Sequence, residues 1–118
     1  MFRFERLKVW QKAVELYDVV DRAAEGFPAR IQFSVADQFR RAALSIPSNI
    51  AEGSGRETER ESRHFYTVAK ASTFELVSIA TVCQRRGLMT AEQYQDVYGR
   101  AEEISKMLTG LKHVRTPV

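Results

Sequence analysis

Apolar residues recur at alternating steps of three and four along four segments of this chain, which is the period of a helix with one buried face. These segments are residues 7–25, 34–52, 58–87 and 90–111. None of them shows the strict apolar–polar alternation that is typical of a half-buried strand. The pattern therefore predicts an all-α protein with four helices.

The breaks between the segments are short and carry helix-stopping residues. Gly26 precedes Phe27-Pro28, a Gly-Ser-Gly run follows the second segment, and Gly87 ends the third. Helices joined by a few residues must run antiparallel, so we expect an up-down four-helix bundle. A chain of 118 residues fits one such domain, residues 1–118, with a flexible tail at residues 113–118.

Pro47 lies inside the second segment. Its ring removes one backbone hydrogen bond to Ala43 and crowds that carbonyl group. We therefore expect a kink in the second helix, or a helix split in two. The starts of the next two helices carry capping boxes, in which Thr58 pairs with Glu61 and Thr90 with Gln93.

The third segment has a second face that carries almost no charge. Beside its main apolar stripe it has Thr67, Ala71, Phe74, Ser78 and Val82 at helical spacing. A single four-helix bundle leaves the outer side of each helix wet, so another copy of the chain is the simplest cover for this face. The alternative is a deeply placed helix in a tightly wrapped monomer.

The second segment carries a polar ridge with residues three or four apart. The ridge consists of Gln38, Arg41, Ser45, Asn49 and Glu52, with Arg40 beside it and Arg56 just past its end. Short amides and hydroxyls are poor helix formers, so they indicate a surface that meets polar groups of a neighbouring subunit or a ligand. A plain solvated face is the alternative.

Glu75 lies among Thr73, Phe74, Leu76 and Val77. A carboxylate in such surroundings needs a partner if it is buried. We expect that partner to be Arg40 or Arg41 of the polar ridge, in a pair that sets orientation more than stability.

Catalytic and membrane functions have little support in the sequence. His64 and His113 have no second histidine or cysteine at metal-ligand spacing, and His64 is expected to be solvated. No apolar run approaches the roughly 20 residues of a membrane span. Cys83 lies alone in an apolar segment, which fits core packing in a reducing cytoplasm. We expect no enzyme activity, cofactor, metal, small-molecule substrate or membrane partner.

The second helix carries a specific signature, QFRRAALSIPSNIAEGSGR, over residues 38–56. It resembles that of a bacterial family of small four-helix-bundle proteins encoded in intervening sequences of 23S ribosomal RNA genes. The opening FERLKVW, the turn Phe27-Pro28 and the segment ASTFEL resemble the family's other landmarks in the same order. The resemblance implies a ring-forming bundle, typically a homopentamer, without assigned enzymatic activity.

A related branch of that family suggests an alternative function. The accessory proteins of diversity-generating retroelements have a similar fold and bind nucleic acid through a strongly basic surface. This chain has a net charge of only +3, and the arginines of residues 56–63 alternate with acids. We therefore expect a non-catalytic homo-oligomeric scaffold first. An RNA- or DNA-binding accessory protein, using Arg40, Arg41, Arg56 and the basic C-terminal residues, is the second hypothesis.

Overall fold

The structure, a computed structural model, describes residues 1–113 and confirms the predicted four-helix bundle. Its helices are α1 (Lys8–Glu25), α2 (Val35–Ser54), α3 (Glu59–Arg85) and α4 (Ala91–Lys112). Each helix packs against the next one in the chain, and α1 packs against α4. The result is an antiparallel bundle of 47 × 22 × 21 Å. The predicted tail, apart from His113, lies outside the described residues.

One apolar stripe from each helix forms the core. Its large, fully buried side chains include Leu16 and Val20 of α1, Phe39, Ile46 and Ile50 of α2, Leu76 of α3, and Val97, Ile104 and Leu108 of α4. The helical spacing of the first segment predicts a main apolar stripe of Trp10, Ala13, Tyr17, Val20, Ala24 and Phe27, flanked by Val9, Leu16 and Ala23. The buried side of α1 is rotated toward the flanking residues. Leu16 and Ala23 are buried, whereas Trp10 and Tyr17 are half-buried. Both aromatic residues lie at the edge of the apolar arc of α1, on the side nearer α2.

Pro47 does not split the second helix, because α2 is continuous from Val35 to Ser54. A kink at Pro47 stays a prediction. The helix also includes Gly53 and Ser54, two residues beyond its expected end. Gly55 follows as the C-cap, and its N–H donates to the carbonyl oxygens of Ala51 and Glu52. These two residues extend α2 far enough to pack against the first turns of α3.

The helix starts are capped as predicted at α4 and partly at α3. Thr90 accepts a hydrogen bond from the Gln93 N–H at 3.0 Å, and the Gln93 side chain accepts one from the Thr90 N–H at 2.9 Å. At α3 the Thr58 hydroxyl accepts from the Glu61 N–H at 3.2 Å, but Glu61 does not reach back. The charged side chain of Glu61 is exposed, so water solvates it instead.

Candidate subunit interface

One side of α3 faces away from the core and carries no charge. Its residues, called the α3 stripe below, are Thr67, Ala71, Phe74, Ser78 and Val82. All five are exposed, and 65% of Phe74 and 52% of Val82 are open to solvent. The alternative of a deeply placed helix is therefore wrong. A neutral face about 22 Å long, at 1.5 Å per residue, stays uncovered by residues 1–113.

The α3 stripe continues into a shallow groove between α3 and α4. The groove has a volume of about 340 Å³. Its lining includes Phe74 and Val77 from α3, Tyr98 and Ala101 from α4, and the charged residues Glu102 and Lys106. Tyr98, which is 40% exposed, is an apolar surface residue that sequence reasoning missed. Its position one residue from buried Val97, at the edge of the apolar arc of α4, is the signal that could have found it.

The polar ridge of α2 divides between the inside and the outside of the bundle. Ser45 Oγ lies 2.8 Å from Ser72 Oγ of α3. Asn49 Nδ2 donates to the Ser45 carbonyl oxygen at 2.8 Å and to its hydroxyl at 3.1 Å. Ser45 therefore links α2 to α3 within one chain, and Asn49 supports Ser45 from the same helix. Gln38 and Glu52 are exposed.

Arg40 ties α2 to α1 and to the turn between them. Its Nε donates to Asp21 Oδ1 at 2.7 Å, and its Nη1 donates to Gln32 Oε1 at 2.9 Å. Gln32 Nε2 in turn donates to the carbonyl oxygens of Ala24 at 2.7 Å and Phe27 at 3.0 Å. The guanidinium of Arg40 is therefore largely used in fixing the α1–α2 turn.

Arg41 and Arg56 pair with acids on their own helix surface. Arg41 Nε lies 2.9 Å from Asp37 Oδ2, and Arg56 Nη2 lies 2.9 Å from Glu52 Oε2. Arg56 also stacks over the ring of Phe65, with its guanidinium carbon 4.5 Å from the ring centroid. Both arginines are exposed, but their charges are locally compensated.

The prediction that Glu75 pairs with Arg40 or Arg41 is wrong within one chain. Glu75 is exposed on α3, while Arg40 binds Asp21 and Arg41 binds Asp37. Both acids lie closer to the arginines along the bundle surface. Because water solvates the Glu75 carboxylate, it requires no buried partner.

Ion pairs between α1 and α4 form a network that sequence reasoning missed. Lys12 Nζ lies 2.7 Å from Glu103 Oε1, and Arg100 Nη1 lies 3.5 Å from Glu15 Oε2. Arg100 Nε also donates to Asp96 Oδ1 at 2.8 Å. The hydrogen bond and charge of Lys12 lower the pKa of Glu103, and Glu103 likewise raises the pKa of Lys12. Of these contacts, only the pair Asp96–Arg100 could be predicted from the sequence, because the two residues are four apart on one helix.

The described residues offer little acid–base or metal chemistry. Within residues 1–113, no group of three or more His, Cys, Asp or Glu side chains is arranged to hold a metal ion. Burial raises the pKa of the Cys83 thiol and of the Tyr66 phenol, which keeps both groups neutral near pH 7. His64 is exposed beside Phe65, as predicted for a solvated histidine. None of the helices in this range is long and apolar enough to cross a membrane.

Comparison with known proteins identifies the family. The model of a family described as 23S rRNA-intervening sequence protein matches residues 5–110. The chain belongs to this family. The resemblance predicted from the α2 signature is thus confirmed. No curated protein matches the chain at a significant level.

A solved structure has the same bundle. It is the crystal structure of a protein of unknown function from the S23 ribosomal protein family of Bacteroides thetaiotaomicron. The two structures superpose with a TM-score of 0.83, over 90% of this chain and 99% of that one, at 20% sequence identity. At this identity the similarity shows that the two proteins share the fold.

Proposed function

We propose that this protein is a non-catalytic subunit of a homo-oligomeric ring, located in the cytoplasm. The exposed α3 stripe carries the proposal, because an uncovered neutral face on a bundle this small is more typical of an interface than of a solvated surface. The number of copies, five, rests on the family resemblance alone. No small-molecule substrate, cofactor or membrane partner is part of the proposal.

The size of the α3 stripe indicates how much more surface an interface needs. A strip about 22 Å long and about 10 Å wide covers roughly 220 Å² of flat area. A stable interface buries about 800 Å² per partner. The stripe can therefore be only the centre of the contact. The α3–α4 groove, with the exposed part of Tyr98, is the adjoining apolar surface that extends it.

Replacing Phe74 tests this interface. A Phe74→Asp substitution places a carboxylate in the centre of the stripe, where a second copy would have to desolvate it. We expect the mass in solution, measured by size exclusion with light scattering, to fall from the assembled value to that of one 13.5 kDa chain. Because Phe74 is 65% exposed in the single chain, the variant should still fold, with a helical circular-dichroism spectrum like that of the unmodified protein.

The matched control is Phe33→Asp. Phe33 lies in the turn between α1 and α2, away from the α3 stripe, and is 98% exposed. The same change of side chain there should leave the assembly intact. If Phe74→Asp assembles as the unmodified protein does, the α3 stripe is not the interface and the proposal fails.

The nucleic-acid hypothesis has less support from the geometry. Arg40, Arg41 and Arg56, its proposed phosphate contacts, each lie within 2.9 Å of an acid of the same chain. Of the basic C-terminal residues, Lys106 and Lys112 lie on α4, and Arg115 lies outside the described part of the structure. A shift assay with RNA and DNA at several salt concentrations tests it. Phosphate binding should lose affinity with a slope of about one logarithmic unit per contact, whereas an apolar ring should persist.

A further inference from the structure

A second apolar surface lies on a different side of the bundle, on α2. Leu44 is 52% exposed there. The ion pair between Arg40 and Asp21 places these two residues close together on α2 and α1. The two helices run antiparallel. Leu44, four residues after Arg40, therefore lies near half-buried Tyr17, four residues before Asp21. Leu44, Tyr17 and the neighbouring Val14 are called the α1–α2 patch below.

The α1–α2 patch and the α3 stripe lie at the same height along the bundle. The hydrogen bond between Ser45 and Ser72 marks a common level on α2 and α3. Leu44 is one residue above Ser45, and Phe74 is two residues above Ser72, both toward the end with the α1–α2 turn. At 1.5 Å per residue their heights differ by only about 1.5 Å.

The charges beside the two surfaces are complementary. Arg41 lies one turn above Leu44 on the outer side of α2. Its Nε pairs with Asp37 at 2.9 Å, but 79% of its side chain stays exposed, so the guanidinium can also meet a carboxylate of a second copy. Glu75 is exposed next to Phe74 on α3. Arg41 is four residues above Ser45, and Glu75 is three residues above Ser72. At 1.5 Å per residue, their heights along the bundle also differ by only about 1.5 Å. Opposite charges at matched heights favour contact between unlike faces and disfavour contact of a face with itself.

We propose that the α1–α2 patch of one copy docks on the α3 stripe and the α3–α4 groove of the next copy, with Leu44 seated beside Phe74 and Tyr98. This contact is heterologous, since two different surfaces meet. When copies are related by rotation about an axis parallel to the helices, contact surfaces at equal height produce no shift along that axis from one copy to the next. Such a contact builds a ring when the rotation from copy to copy divides a full turn, whereas surfaces at unequal heights would build a helical filament. The inference rests on the proposed self-assembly and specifies which surfaces form it.

Complementation between two interface variants tests the docking. Leu44→Asp damages only the α1–α2 patch, and Phe74→Asp damages only the α3 stripe. Each variant alone should run as a single chain, because every contact in the ring uses both surfaces. An equimolar mixture retains one intact pair of surfaces and should give a 1:1 dimer and nothing larger. Phe33→Asp serves as the exposed aromatic control.

The outcomes separate this inference from the proposed function. If Leu44→Asp still assembles while Phe74→Asp does not, the α3 stripe meets a surface other than Leu44, and only the heterologous contact is overturned. If both variants assemble, or if the unmodified protein never assembles, the proposed function fails as well.

Cross-linking gives a second measurement that does not depend on the strength of one isolated contact. Leu44→Cys and Phe74→Cys chains, mixed and mildly oxidised, should form a disulfide only between unlike chains. The double variant should give a ladder of bands that ends at the ring size. The unmodified chain, whose Cys83 is buried, supplies the background. Disulfides between two Phe74→Cys chains, or no cross-link in an assembled mixture, would overturn the inference.

Discussion

Gly53 lies where the last turn of α2 approaches α3 too closely for a β-carbon. A Cβ there would lie 2.5 Å from Tyr66 Cε1 and 3.2 Å from Phe65 Cβ. Tyr66 is only 5% exposed, so its ring has little room to move aside. The carbonyl oxygen of Gly53 also accepts a hydrogen bond from Ser62 Oγ at 2.7 Å, which fixes the backbone.

We predict that Gly53→Ala lowers the free energy of unfolding by about 1–2 kcal/mol, since overpacking outweighs the gain in helix propensity. Gly99→Ala in α4 is the matched control, because nothing lies within 4 Å of its new Cβ. That variant should gain about 0.5–1 kcal/mol. Urea denaturation at one protein concentration measures both. Equal effects of the two substitutions would show that the contact with Tyr66 does not restrict Gly53.

At the scale of the helix, the end of α3 depends on one left-handed residue. Gly87 has a φ of 74°. The Leu88 N–H donates to the Cys83 carbonyl oxygen at 2.9 Å, and the Gly87 N–H donates to the Gln84 carbonyl oxygen at 3.0 Å. This pair of bonds is a Schellman motif, which ends the helix and starts the turn into α4.

Gly87→Ala should therefore destabilise the protein by about 1 kcal/mol, because an L side chain is strained at this φ. Open space surrounds the site, with no atom within 4 Å of a Cβ, so a steric clash does not contribute. Gly87→Asn, which tolerates the left-handed region better, should lose less stability in the same denaturation experiment. An Asn variant that is as unstable as the Ala variant would contradict this explanation.

The contact between α1 and α4 includes a pH-dependent pair. The contribution of Glu103 to stability is complete above its ordinary pKa of 4.5 and is lost as pH falls through the lowered pKa. The contribution of Lys12 is complete below its ordinary pKa of 10.5 and is lost as pH rises through the raised pKa. The pair therefore acts across the neutral range.

Lys12→Met should move the pKa of Glu103 back up toward 4.5, because the amine that stabilises the carboxylate is removed. An NMR titration of the Glu103 carboxyl carbon measures this change. Lys8→Met, on the same helix, is the control and should leave that titration unchanged. A Glu103 titration that is the same in all three proteins would mean that the ion pair does not persist in solution.

The helices could be predicted from the sequence, because each one buries a single apolar stripe and its period is visible without any neighbour. The outward direction of the α3 stripe followed from the same period. The partners of the arginines could not be predicted, since long side chains reach acids one turn away as easily as acids on another helix. Arg41, for example, pairs with Asp37 one turn away on α2 and not with Glu75 on α3. Ser45 proved to be an internal contact because α3 presents Ser72 to it, and Asn49 binds Ser45 on the same helix.

At the scale of the whole molecule, the bundle has two exposed apolar surfaces at one height and on different sides. The proposed ring would cover both surfaces in every subunit. Apolar contacts are only weakly sensitive to salt, so we expect the assembly to persist between low and high ionic strength. Dissociation on raising the salt concentration would indicate that ion pairs hold the subunits together instead.

The most direct test is the mass of the unmodified protein in solution. Light scattering after size exclusion, repeated over a wide range of protein concentrations, should give a discrete multiple of the 13.5 kDa chain, with five copies as the number that the family resemblance implies. A mass of 13.5 kDa at the highest concentration reached would show that the α3 stripe is an ordinary solvated surface and would contradict the proposed assembly.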